Sequence, residues 1–268
     1  MQATIVIKCG GSILNDFSQL NHLISDIKEL KVLGYQIVLV HGGGPDINQL
    51  CQKFEVANIF KNGLRVTDEI TLSLTQMALL GKTNAGLVHR LNQAEIPALG
   101  LSGHDLNLLM GDFINQDKLG YVGVIHQVNR NFLEQLFSLG IIPVIAPLIV
   151  DGGENVLNVN ADLAASAIAV ALGSQQLILL SDVDGYYADY PDKTSLVSKL
   201  TLSQVNSLLM HDQISSGMIP KLKACEQAIS ASIKVAQIVN GNLPHGLKDA
   251  VLKPGSVGTI VVAREEIC

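Results

Sequence analysis

Thr4-Ile5-Val6-Ile7-Lys8-Cys9-Gly10-Gly11-Ser12 and Gln36-Ile37-Val38-Leu39-Val40-His41-Gly42-Gly43-Gly44-Pro45 share one construction: an apolar run of strand length that empties into a glycine turn. Between them Leu20, Leu23, Ile24, Ile27, Leu30 and Leu33 recur at three- and four-residue steps. That spacing predicts a helix over 20–33 stopped at Gly34, and a second helix is expected from Asp46 to Phe54. The chain therefore opens βαβα. Ile37 to Val40 is apolar at every position, as in a strand covered on both faces, so a parallel sheet follows. Open parallel sheets bind ligands at the carboxyl ends of their strands, where both glycine turns fall. Glycines leave backbone N–H groups unshielded, a helix that follows aims its positive end at an anion, and Lys8 adds a full charge. The pattern is that of a phosphate cradle.

Outward from this opening, Pro97 to Leu101, Asn107 to Ile114 and Gly120 to Val128 read as short strands of a β-hairpin subdomain. A helix near Arg130 to Leu139 and a strand from Ile141 to Ile145 lead into a second α/β set. Its helix runs from about Asn160 to Leu172 and its strands are Gln176 to Leu180 and Lys234 to Val239. The polar stretch Asp182 to Thr194 reads as a linker or a ligand-facing loop. The expected fold is α/β, a three-layer sandwich with a mainly parallel central sheet in two lobes. The boundary is placed near residues 173 to 178, giving lobes of 1–175 and 176–268.

With 268 residues, 48% of them hydrophobic and 16% charged, the chain has the means to bury a large core and is not disordered. Its low surface charge leaves room for a buried oligomer interface. The net charge of -6, with Lys and Arg scattered singly, offers no basic stripe for nucleic acid. Cys9, Cys51, Cys225 and Cys268 form no zinc-type spacing and read as reduced thiols of a cytoplasmic protein. No apolar run has the length of a membrane span, and no targeting pattern precedes Thr4.

Two familiar phosphate motifs fail. Gly81-Lys82-Thr83 resembles the end of a P-loop, but Gln76 stands where the leading glycine belongs and the preceding residues look helical. No GxGxxG with a following acid is present, which weakens a dinucleotide reading. Lys8 beside Gly10 and Gly11 could be a solvated lysine on a tight turn, and His41 is better read as a strand-end residue than as a base. Arg65 could cap or pair with Asp68, or present a fork to a carboxylate. Asn158, Asn160 and Asp162 alternate into a helix start, where Asn160 suits an N-cap and Asp162 the helix dipole. Buried between lysines, Asp162 would instead organise charge. Lys221 stands just inside a helix opened by Pro220.

Together these segments resemble the amino acid kinase family, and within it the branch acting on N-acetyl-L-glutamate. The resemblance spans essentially the whole chain. It rests on Lys8-x-Gly10-Gly11-Ser12, His41 to Pro45, Asn62-Gly63-Leu64-Arg65-Val66-Thr67-Asp68, Gly100 to Gly103, Gly120 to Gly123, Asn158-Val159-Asn160-Ala161-Asp162, Leu180 to Gly185 and Gly217 to Lys221. It implies ATP-dependent phosphorylation of the side-chain carboxylate of N-acetyl-L-glutamate, with Mg2+ carried on the ATP, in arginine biosynthesis. Lys8 and Lys221 would flank the transferring group, Gly11 and Gly44 would donate N–H groups to it, and Asp162 would hold both lysines. Arg65 would clamp the α-carboxylate of the amino acid, with Gly43, Gly44, Asn158 and Asn160 completing that site. Gly10, Ser181, Asp182 and Gly185, with Lys221, would hold the nucleotide, and no protein-held metal is implied. Cys9 and His104 depart from the residues expected at their positions. Few residues precede the first strand, so the N-terminal helix of ring-forming, arginine-inhibited members is expected to be absent and a homodimer insensitive to arginine follows. The alternatives are a sibling kinase for N-acetyl-2-aminoadipate or another small acid, and a catalytically silent sensor.

Overall fold

The computed structural model describes residues 3–210 and 214–264. β1 (Thr4–Cys9) runs into the first glycine turn, followed by the single-turn α1 (Gly11–Asn15) and the long α2 (Phe17–Val32). Asp16 caps α2 by accepting from the N–H groups of Ser18 and Gln19, and the chain leaves through Gly34 at a φ of 90°. β2 (Gln36–His41) ends in the second glycine turn, on which α3 (Gly44–Lys53) starts with Pro45 in its first turn. A two-residue hairpin, β3 (Phe60–Lys61) and β4 (Leu64–Arg65), leads to α4 (Glu69–Gln76). A π-helical segment (Met77–Asn84) carries α4 on into α5 (Ala85–Gln93). β5 (Ala98–Leu101), β6 (Leu109–Phe113), α6 (Gln116–Leu119), β7 (Gly123–Val128), α7 (Arg130–Ser138), β8 (Ile142–Ile145), β9 (Leu148–Val150) and β10 (Val156–Asn158) follow. The remainder holds α8 (Ala161–Leu172), β11 (Gln176–Ser181), the pair β12 (Tyr186–Tyr187) and β13 (Leu196–Val197), β14 (Lys199–Thr201), α9 (Leu202–Met210), α10 (Ile219–Ser230), β15 (Val235–Asn240), α11 (Gly246–Leu252) and β16 (Thr259–Val262).

Eight strands make the central sheet, in the order β14-β16-β15-β11-β1-β2-β8-β5, parallel except where β16 meets β15. β1 lies in its interior, with Lys8 opposite Leu179 on one side and Cys9 opposite His41 on the other. Alternation along β1 builds the layers. Ile5, Ile7 and Cys9 pack with α2, α5 and α11, whereas Val6 packs with α7, α8 and α10. The fold is thus α/β with helices on both faces of one mainly parallel sheet. The segment 173–178 joins the end of α8 to the first residues of β11, and the sheet continues through those residues, which pair with β1.

One expectation is corrected. Pro97 to Leu101 is no part of the hairpin subdomain; β5 pairs in parallel with β8 at the edge of the central sheet, as a strand entered from a helix does. The other two stretches supply β6 and β7, which pair antiparallel in a second sheet of order β10-β9-β6-β7. Of the two readings of the stretch from Asp182, the structure favours the loop over the linker, because β12 pairs with β13 and Asp184 accepts from Tyr187 Oη and from Asn240 Nδ2. Among the described residues, no helix is long and apolar enough to cross a membrane. Cys9, Cys51 and Cys225 are free and buried; Cys268 lies outside the described residues.

Candidate active site

The carboxyl ends of β1, β2 and β11 open into a cleft of ≈ 400 Å³. Both glycine turns line it, with Lys8, Arg65, Asn158, Asn160, Asp162, Ser181, Asp182 and Lys221. Of the residues expected to form the site, Gly185 alone is outside this lining; a Cβ there would meet Thr259 Oγ1 at 2.4 Å. The central sheet order is what unites residues so far apart in sequence, since it sets β1 between β2 and β11.

Asp162 is the organising charge. Asn160 accepts from the N–H groups of Asp162 and Leu163, which starts α8 and turns the Asp162 side chain inward. Asp162 is 4% exposed, and its carboxylate lies between two ammonium groups, Lys8 Nζ 2.9 Å from Oδ1 and Lys221 Nζ 3.2 Å from Oδ2. Lys221 donates a hydrogen bond, whereas Lys8 approaches Oδ1 out of line for one and is held by charge. Burial alone would push the Asp162 carboxyl up, but Lys8 and Lys221 outweigh it and hold the group below the usual carboxylate range. Two cations around one anion leave a net positive charge facing the cleft.

At two positions the glycine turns leave no room for a side chain. A Cβ on Gly11 would come within 2.8 Å of Pro45 Cδ and 3.3 Å of Gly43 N, and one on Gly43 within 2.4 Å of Leu79 Cδ2. Among the described residues, the N–H groups of Gly11, Gly43 and Gly44 donate to no backbone acceptor. Free donors at two helix starts beside a net positive charge form a receptor for a polyanion.

Arg65 closes the other side. Its guanidinium donates to Asn58 Oδ1 and to Asn48 Oδ1, the latter at 2.6 Å, and lies 4.7 Å from the centroid of the Phe60 ring. The Asp68 pairing is not formed, because Asp68 caps α4 by accepting from Thr71 N. Among the described residues, no carboxylate lies within ion-pair reach of the Arg65 guanidinium, although the residue is only 8% exposed. Burial lowers its pKa, yet a guanidinium keeps its charge. Beside it Asn158 Nδ2 donates to Thr67 Oγ1. Asn48, Asn58 and Phe60 went unnoticed in the sequence. Asn48 carries the one available signal, since it stands a helical turn after Gly44.

Other candidates resolve into structure. His41 is fully buried with both ring nitrogens engaged, and burial pushes its pKa down to about 4, so it is a neutral ring and no base. Burial pushes the Cys9 thiol up to about 12, which leaves it unreactive. Lys82 and Thr83 lie in the π-helical segment and hold Asp46, with Lys82 Nζ 2.8 Å from Oδ1 and Thr83 Oγ1 donating to Oδ2. Their neighbourhood is not a P-loop.

A mainly parallel sheet whose strand ends carry glycine turns, with two lysines gathered on one aspartate, defines a kinase for a small molecule. The chain belongs to the amino acid kinase family, which it matches over residues 3–240. It is 42% identical over 260 residues to the acetylglutamate kinase of Caldanaerobacter subterraneus, covering 96% of this chain and 87% of that one. It is 37% identical to the acetylglutamate kinase of a Nostoc species, over 98% and 88% of the two chains. The solved structure of smu.665 from Streptococcus mutans superposes with a TM-score of 0.85 at 32% identity, over 98% of this chain and 100% of that one.

Proposed function

We propose that this kinase transfers the γ-phosphoryl group of ATP to the side-chain carboxylate of N-acetyl-L-glutamate, giving the acyl phosphate, as a step of arginine biosynthesis. The observation that carries the reading is a single cleft with a charge-neutralising cluster at one end and a buried guanidinium lacking a carboxylate at the other. A side-chain carboxylate is already a nucleophile, so the chemistry needs no base. Catalysis reduces to in-line positioning and to neutralising the transferring group. Lys8 and Lys221 flank that group, Asp162 keeps both lysines oriented and charged, and the N–H groups of Gly11 and Gly44 point at its oxygens. Arg65 takes the α-carboxylate of the amino acid as a fork. Gly43, Asn158 and Asn160 fix the rest of that substrate. Gly10, Ser181 and Asp182 hold the nucleotide side, and magnesium arrives on the triphosphate oxygens as the ATP complex. Residues 1–175 then serve the acyl substrate and 176–268 the nucleotide.

We further infer a cytoplasmic homodimer. β5 leaves a free edge on the central sheet with Leu99 exposed, and Ile70 and Met77 add exposed apolar surface on one side of the helical stretch that precedes it. The deciding assay traps acyl phosphate with hydroxylamine. Hydroxamate with N-acetyl-L-glutamate, and much less with N-acetyl-2-aminoadipate, glutamate or aspartate, is the expected result. Product only with the longer homologue would reassign the substrate, and none with any acid would defeat the reading.

A further inference from the structure

The sequence segment Gly81-Lys82-Thr83-Asn84 takes no direct part in the proposed chemistry, yet its last residue reaches the second glycine turn. Asn84 ends the π-helical segment and is buried, within hydrogen-bond reach of one residue of β2 and one of β8. Its side-chain nitrogen lies 2.9 Å from the carbonyl oxygen of Val144 and 2.9 Å from His41 Nε2. A carbonyl oxygen only accepts, so the atom facing it is the amide NH2 and the orientation of the side chain is fixed. An amide NH2 only donates, so His41 Nε2 is bare. The proton of the neutral ring is then on Nδ1, which lies 2.9 Å from the carbonyl oxygen of Gly42. Asn84 Oδ1 occupies the space that a side chain at position 100 would need, since a Cβ on Gly100 would come within 2.0 Å of it.

The chain of donors therefore runs one way, from Asn84 to His41 and from His41 to Gly42. It holds the Gly42 carbonyl toward the buried ring. In a trans peptide the N–H points opposite to the C=O, so the Gly43 N–H is turned away from the ring, on the side where Gly43 lines the cleft. We propose that Asn84 and His41 are positioning residues which, through the Nδ1-protonated tautomer of His41, lock the Gly42–Gly43 peptide with its N–H presented to the substrates. The proposal rests on the reading that the amides of this turn receive the reacting groups. The burial that pushes the His41 pKa down to about 4, against the pull of nearby Asp46, keeps the ring neutral and the relay intact at working pH.

Among the described histidines only His41 is buried, which makes its ring separable by NMR. In 15N-labelled wild-type protein, its ring is expected to show a protonated Nδ1 and a bare Nε2, unchanged between pH 5.5 and 8.5. An Nε2-protonated ring, or titration within that range, overturns the proposal without any variant being made. Asn84→Leu removes the donor to Nε2 and frees the tautomer. It should shift the His41 signals toward Nε2 protonation and lower kcat by about tenfold or more, while KM for ATP changes by less than about threefold. Either change without the other also defeats the proposal. The functional reading fails differently, through Lys8→Ala and Arg65→Ala variants that keep wild-type kinetics.

Discussion

Asp162 is worth more to the site than either lysine alone, because it makes two like charges tolerable within a few ångströms. If both lysines flank the transferring group as proposed, Lys8→Ala or Lys221→Ala should lower kcat by roughly 10²–10³, the ordinary cost of one transition-state donor. Steady-state kinetics check this, and a variant retaining a third of wild-type turnover would contradict the assignment. Arg65 predicts a different signature. In the proposed reading it binds a part of the substrate that does not react, so Arg65→Ala should raise KM for the N-acetylated acid while kcat moves little. Asn48 and Asn58 shape that outcome, because neutral amides orient the guanidinium without cancelling its charge. Such partners are invisible in a sequence. Lysine, glycine and aspartate at strand ends announce chemistry by type and place, whereas an asparagine on a helix or in a loop looks like any surface residue.

Among the elements, the strands that empty into glycine turns were the most legible, because a parallel strand buried on both faces leaves an unbroken apolar run. β5 was misplaced for the opposite reason. Ala98-Leu99-Gly100-Leu101 is short and weakly apolar, and its glycine answers to Asn84 across the fold instead of to any local pattern. The helix from Glu69 to Gln93 was not anticipated as one body, since it contains Gly81 and Gly86 and widens into a π-helical turn. The start of α8 was legible as a cap and is also part of the site. Asn160→Ala should cost about 0.5–2 kcal/mol of stability, read from urea denaturation, through loss of the bonds to Asp162 N and Leu163 N. Gly11→Ala should act on catalysis more than on stability. The added methyl meets Pro45 and would spread the two turns, lowering kcat in a protein that still unfolds cooperatively.

At the scale of the molecule, two buried groups set the acid limit of stability. His41 is pushed down from 6.5 to about 4, so between those values the unfolded chain binds the additional proton and stability falls as pH falls. Asp162, held below its ordinary value, contributes stability above that value and loses it as pH drops through its folded pKa. From pH 7 to pH 4 the histidine alone should remove on the order of 3 kcal/mol, at 1.36 kcal/mol per pKa unit. A urea midpoint that stayed level across that range would contradict the burial described for His41. The proposed homodimer predicts that light scattering gives twice the chain mass and that Leu99→Arg, at the free sheet edge, shifts it toward the monomer. The interior position of β1 reaches back to synthesis itself. β1 and β2 can pair as soon as both have left the ribosome, but the other flank of β1 waits for β11, Gln176–Ser181. At ~5–20 residues per second this leaves an unpaired, apolar strand edge for on the order of ten seconds. Nascent chains stalled before Gln176 should therefore bind chaperones and aggregate, and those stalled well beyond β11 should not.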